Sequence, residues 1–216
     1  MELLVHDLLK INNIECIASD EEAPKWVHEA LLQAPWVVVR RAPLQNGMIP
    51  VGVRGENRIQ RFGAYIPSSA IVMKVTPEQL VSQAGWRTSE RFTTIRAFQI
   101  LDIVSFYYSR YDWSWGITGS VGFELASSIP TARPNSDLDI VIRMPQPLDR
   151  KKAGVLHGWN TQLPIRIDVQ LETPLGAVAL AEYARNEKQV LLRTSSGPTL
   201  VDTPWSVVTL NQEDGR

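Results

Sequence analysis

Ile117-Thr118-Gly119-Ser120 and, further on, Ser136-Asp137-Leu138-Asp139-Ile140-Val141-Ile142-Arg143 carry the most informative pattern in the chain. The second predicts a strand over residues 136–144. Side chains two apart on a strand share a face, so Asp137 and Asp139 turn one way while Leu138, Ile140 and Ile142 turn the other. Two neighbouring carboxylates repel each other and are costly to desolvate, and a divalent cation relieves both penalties. Oxygen donors with no His or Cys beside them suit Mg²⁺, or Mn²⁺, rather than Zn²⁺. Gly119-Ser120 falls between a predicted strand at 113–118 and a predicted helix at 120–127. Gly allows close backbone approach, and the N–H groups of a first helical turn suit phosphate oxygens. Gly119, Ser120 and Ser136 are therefore candidate phosphate-binding residues beside a metal pair of Asp137 and Asp139.

A third carboxylate follows in residues 165–172, IRIDVQLE. There Ile165, Ile167, Val169 and Leu171 line one face, and Arg166, Asp168, Gln170 and Glu172 the other. If this strand lies beside the Asp137/Asp139 strand, Asp168 joins the pair as a catalytic and metal-ligating residue. It then completes a two-metal site or takes a proton from an attacking hydroxyl. His157 is another conceivable base, but it falls in a helix read as lying on the surface. A lone Asp-x-Asp usually marks a solvated strand end. The reading rests on the order Gly-Ser, Asp-x-Asp and then a strand carboxylate.

Working outward, residues 148–160 read as a helix, and Thr173-Pro174 reads as the cap of another running to about Asn186. A last strand is predicted at 188–194. Upstream, residues 88–107 carry the longest helical stripe, with Phe92, Ile95, Phe98, Leu101 and Val104 on one side. Thr76-Pro77 starts the helix before it, which ends at Gly85. In the N-terminal third, 25–33 reads as a helix, and 36–39 and 49–55 as strands about the turn Gln45-Asn46-Gly47. Arg54, Arg58 and Arg61 cluster just after, with Arg40 and Arg41 on the partner strand. They form a solvated edge or a patch for phosphates or an acidic partner. The expected class is α+β: a small N-terminal domain over 1–78 and a catalytic domain over 79–216.

Composition excludes several alternatives. A net charge of −1 argues against a nucleic-acid binder. The start of the chain lacks the apolar core of a signal peptide, and no run is long enough to span a membrane. The single cysteine, Cys16, excludes an internal disulfide and suits a reducing, cytoplasmic setting. The seven tryptophans read first as packing residues.

Gly-Ser, a spacer and Asp-x-Asp on a strand resemble the active site of the polymerase-β-like nucleotidyltransferases, although the spacer 121–136 is longer than is usual there. A closer resemblance covers nearly the whole chain. GSVGFELASSIPTARPNSDLDIVIR, RIDVQLETPLGAVALAEYA, HDLL at 6–9, WVVVRRAP and VGVRGENRIQRFGAYI are similar to the phosphoribosyl-dephospho-CoA transferases of malonate decarboxylase. The long spacer belongs to that family's pattern. The resemblance implies a substrate, 2′-(5″-triphosphoribosyl)-3′-dephospho-CoA, and a partner, the acyl carrier protein subunit of malonate decarboxylase. A carrier serine would attack the α-phosphorus and release pyrophosphate, with Asp137 and Asp139 matching the catalytic carboxylates. The residues alone leave open a citrate lyase type carrier, another small nucleotidyltransferase, or a non-catalytic binding protein of the same fold.

Overall fold

The computed structural model describes residues 2–57 and 59–206. Its N-terminal part is an antiparallel sheet of β1 (Leu8–Ile11), β2 (Trp36–Val39), β3 (Ile49–Arg54), β4 (Arg61–Ile66) and β5 (Ile71–Val75), ordered β4-β3-β2-β1-β5. β2 and β3 pair as their alternation predicts, with Val38 opposite Gly52. The period of two sorts the sheet's faces. Val37, Val39, Val51, Val53 and Ala64 pack against Val27 and Leu31 of α1 (Lys25–Gln33). Leu8 and Trp36 instead join the larger core of the second sheet, so the N-terminal sheet is covered on both faces.

Thr76 caps α2 (Pro77–Gln83) in a reciprocal capping box with Gln79. The left-handed residue that ends this helix is Ala84, one position before the expected Gly85. There follow α3 (Arg96–Tyr108), β6 (Ser114–Ile117), α4 (Gly119–Ser127), β7 (Leu138–Arg143), α5 (Arg150–Asn160) and β8 (Ile167–Thr173). β9 (Gly176–Ala179), α6 (Leu180–Tyr183), β10 (Val190–Thr194) and β11 (Gly197–Val201) complete the described chain. The second sheet is ordered β11-β10-β9-β8-β7-β6. β7 and β8 are parallel, joined over α5, and the other pairs are antiparallel. The architecture is α+β with two sheets. No helix among the described residues is long and apolar enough to cross a membrane.

Three expectations need correction. The helix predicted from 88 begins only at Arg96. Thr93, Thr94 and Ile95 are β-branched, which lowers helix propensity, and the Gln99 amide donates to the carbonyls of Phe92 and Thr93 instead. The helix expected after Thr173-Pro174 is a hairpin. Thr173 pairs with Gly176 around a two-residue loop, and the Thr173 hydroxyl donates to the carbonyls of Gly176 and Pro204 rather than capping a helix. Gly176 has φ 151°, and a β-carbon there would strike the Arg193 backbone, so this residue admits the close pass of β10. Finally, the strand read from Ser136 starts at Leu138, which leaves Asp137 at its entry rather than on its ladder.

Candidate active site

The parallel pairing of β7 and β8 builds the site. Asp139 is the register partner of Asp168, Val141 of Gln170, and Arg143 of Glu172. One face of the two strands therefore carries two carboxylates at its upstream end. The strand read in residues 165–172, which carries Asp168, does lie beside the Asp137/Asp139 strand. Among the described residues, no three His, Cys, Asp or Glu side chains are gathered tightly enough to hold a metal unaided.

Gly119 faces this end. It has φ 64°, and a β-carbon there would overlap the Asp139 carboxylate. Gly is required twice over, for its left-handed backbone and for the space. The Thr118 N–H donates to the Asp139 carbonyl at 2.9 Å, which ties the turn before α4 to β7. Ser120 lies in the first turn of α4, and its hydroxyl donates to that of Ser136 at 3.4 Å. Ser136 is buried and accepts from the Arg133 N–H at 2.8 Å. Gly119, Ser120, Ser136 and Asp139 thus meet although the sequence separates them.

The long segment between α4 and β7 is organised by Glu124, which sequence reading passed over. The signal was present: a carboxylate inside the apolar helix GSVGFELAS. Glu124 is buried, and Arg91 Nη1 donates to both its oxygens at 2.6 Å. The N–H groups of Thr131 and Ala132 donate to Glu124 at 2.8 Å, and Arg91 Nη2 donates to the Ala132 carbonyl. The Thr131 hydroxyl then donates to the Ser120 carbonyl at 2.8 Å. This network holds the segment that delivers Ser136 and Asp137.

Arg166 was also missed as a site residue. Its Nε donates to Asp168 Oδ1 at 2.9 Å. That hydrogen bond and the Asp168 charge raise the guanidinium above its ordinary value, with smaller contributions from Asp137 and Asp139. An exposed arginine thus registers all three carboxylates at once. Asp139, Asp168 and Arg166 line a cavity of about 480 Å³ together with His157 and Asn160 of α5. His157, half-buried on a helix with an exposed face, lines the same cavity as the carboxylates.

A second cavity of about 600 Å³ opens between the two sheets and is lined by Arg40, Arg41, Arg54, Arg61 and Arg193. His6, Gly119, Gln170 and Arg193 line both cavities. Arg54 and Arg61 therefore turn toward the second sheet, and Arg58 lies outside the described residues.

The sheets are locked together at the downstream end of the same face. Glu172 of β8 accepts from Arg41 Nη2 through both oxygens, at 2.6 Å to Oε1, and His6 Nε2 lies 3.3 Å from Oε1. Arg143 Nε donates to Glu78 at 2.8 Å, and its Nη2 donates to the Val5 carbonyl. Burial pushes the Glu172 carboxyl up, but the His6 hydrogen bond and the Arg41 charge overcome it and leave the group below its ordinary value. A depressed carboxylate stabilises the fold above its unfolded value, and that stability is lost as pH falls through the folded one. Glu172→Gln should therefore lower the melting temperature near neutrality, and the gap to the wild type should close as pH falls below about 4.5. A gap independent of pH would remove Glu172 from the latch.

Curated relatives align along nearly the whole chain. A protein of Azotobacter vinelandii named phosphoribosyl-dephospho-CoA transferase is 41% identical over 94% of this chain and 94% of its own length. Proteins of the same name from Pseudomonas fluorescens and Klebsiella pneumoniae are 39% and 40% identical, over 94% and 93% of this chain and 95% of each relative. No solved structure matches the chain. The chain is an enzyme of the transferase class. Residues 4–77 match the family model described as the phosphoribosyl-dephospho-CoA transferase MdcG N-terminal domain, and residues 87–204 match that of its C-terminal domain. The chain belongs to the MdcG family of phosphoribosyl-dephospho-CoA transferases.

Proposed function

We propose that this enzyme transfers the phosphoribosyl-dephospho-CoA group from 2′-(5″-triphosphoribosyl)-3′-dephospho-CoA to a serine of the acyl carrier protein subunit of malonate decarboxylase. The single observation that carries the reading is the Asp139–Asp168 register beside Gly119, in a chain of this family. The serine oxygen forms a bond to the α-phosphorus, the bond from that phosphorus to the bridging oxygen breaks, and pyrophosphate leaves with the electron pair. Asp168, the register partner of Asp139, would receive the serine proton. Gly119 and Ser120 meet the triphosphate through backbone N–H groups and a hydroxyl at the start of α4. The C-terminal half is read as a polymerase-β-like nucleotidyltransferase domain over 79–216, with 1–78 as a domain for substrate or carrier. The one free cysteine, Cys16, suits a reducing compartment, and we read the enzyme as cytoplasmic.

The donor set fits Mg²⁺, which proteins often hold by one or two carboxylates together with substrate phosphates. Asp137, Asp139 and Asp168 would hold it, and it would neutralise charge on the transferring and leaving phosphates.

Activity should vanish in EDTA and return with Mg²⁺ or Mn²⁺. Recovery with Zn²⁺ alone would sink the oxygen-donor site. Transfer of labelled prosthetic group should be compared on the malonate decarboxylase carrier and on a citrate lyase type carrier. Labelling of the second alone would overturn the partner assignment.

A further inference from the structure

The arginine-lined cavity between the sheets adjoins the carboxylate cavity and needs its own account. β2, β3 and β4 bring Arg40, Arg54 and Arg61 to it, and β10 brings Arg193 from the opposite sheet. Among the described residues, no Asp or Glu lines it. Arg54 and Arg61 are direct cross-strand partners, and Arg61 Nη1 donates to the carbonyls of Asn57 and Gln60. Arg40 lies over the Tyr65 ring, 5.1 Å from its centroid, and its buried Nε meets no hydrogen-bond acceptor among the described residues.

Two glycines shape the floor. Gly52 and Gly63 are register partners on β3 and β4. Gly in a strand interior weakens the strand and marks close approach by a ligand or another group. At Gly63 a β-carbon would press on the Arg40 guanidinium at 3.3 Å, so its absence lets Arg40 lie flat. At Gly52 nothing stands nearer than 3.9 Å, so the space left by the missing side chain is open. The remaining walls are apolar, with Val38, Phe123, Leu191 and Pro198 among them. Arginines matched to phosphate oxygens, set in apolar walls, suit a diphosphate ester carrying a neutral arm. The volume of about 600 Å³ is that of a small-molecule site.

We propose that this cavity is a metal-independent subsite for the diphosphate and pantetheine arm of dephospho-CoA, joined to the carboxylate cavity through His6, Gly119, Gln170 and Arg193. The assignment rests on the transfer reaction proposed above. It places the reacting triphosphate at the Asp139 end and the dephospho-CoA portion between the sheets. The N-terminal arginines then serve the small substrate rather than the carrier protein.

The test is calorimetric titration of the full chain in EDTA with 3′-dephospho-CoA, and with pantetheine, which lacks the diphosphate. Dephospho-CoA should bind without metal and pantetheine should not. R40A and R193A should each weaken binding at least about tenfold. Gly52→Phe, which fills the floor, should abolish binding. Arg193 is exposed on β10, so R193A serves even where R40A folds poorly. Unchanged binding in R193A, or binding that demands Mg²⁺, overturns the subsite. So does a raised KM for the carrier protein alone with dephospho-CoA binding intact. If dephospho-CoA binds as expected yet no carrier is modified, the subsite stands and the transfer reading falls.

Discussion

Asp139→Asn is expected to lower prosthetic-group transfer by at least about 10²–10³-fold while leaving the melting temperature equal to or above that of the wild type. The amide keeps nearly the same volume, so the gap against Gly119 stays filled. The backbone bond from the Thr118 N–H to the residue 139 carbonyl is untouched. One negative charge leaves a face that also carries Asp168, its register partner, and so repulsion in the metal-free chain falls. An amide binds a divalent cation weakly, and charge developing on pyrophosphate goes uncompensated. Asp137→Asn should behave alike. The measurement pairs labelled transfer with a thermal melt of each variant. Near-normal transfer would end the mechanism proposed here, and a collapsed melt would make the pair structural.

Glu124→Ala should be the most damaging change to stability, at about 3–5 kcal/mol. The carboxylate is buried and receives Arg91 and two backbone N–H groups. Its removal leaves two backbone N–H groups without their acceptor, at about 1–3 kcal/mol each, and a guanidinium whose side chain is 32% exposed and so regains part of its hydration. For a chain of this size the melting temperature should drop by about 6–20 °C. Transfer should fall as well, because the same network fixes the segment leading to Ser136 and holds the Ser120 carbonyl through Thr131. Glu124→Gln should lie between, since it keeps an acceptor and the volume. Circular dichroism melts of the three proteins decide this. An Ala variant melting within about 2 °C of wild type would mean that the segment is held elsewhere.

The alternation of Leu138, Ile140 and Ile142 located β7, and the β-branched run at 36–39 located β2, because strand period and propensity are local properties. Thr76-Pro77 named its helix start for the same reason. Gly119 was read as letting the backbone approach a phosphate; the fold brings the Asp139 carboxylate against it. Thr173-Pro174 failed because a cap signal and a hairpin signal share residues. The pairing of β8 with β9 and the close pass of Arg193 at Gly176 decided between them.

What the sequence determined by itself was the set of chemical groups and the strands that carry them. It marked Asp137, Asp139 and Asp168 as carboxylates carried by strands, Gly119-Ser120 as a turn into a helix, and the arginines as a cluster. Only the tertiary structure decided which of them meet. Asp168 reaches Asp139 because α5 carries the chain back to a parallel strand, whose register is set by packing across the whole sheet. Arg41 and His6 find Glu172 across 131 and 166 residues of sequence. The arginines turn inward because the opposite face of their sheet is committed to α1. Local periodicity says which face a side chain takes. It carries no information on what another sheet brings to that face, because such contacts are selected by the burial of the whole chain.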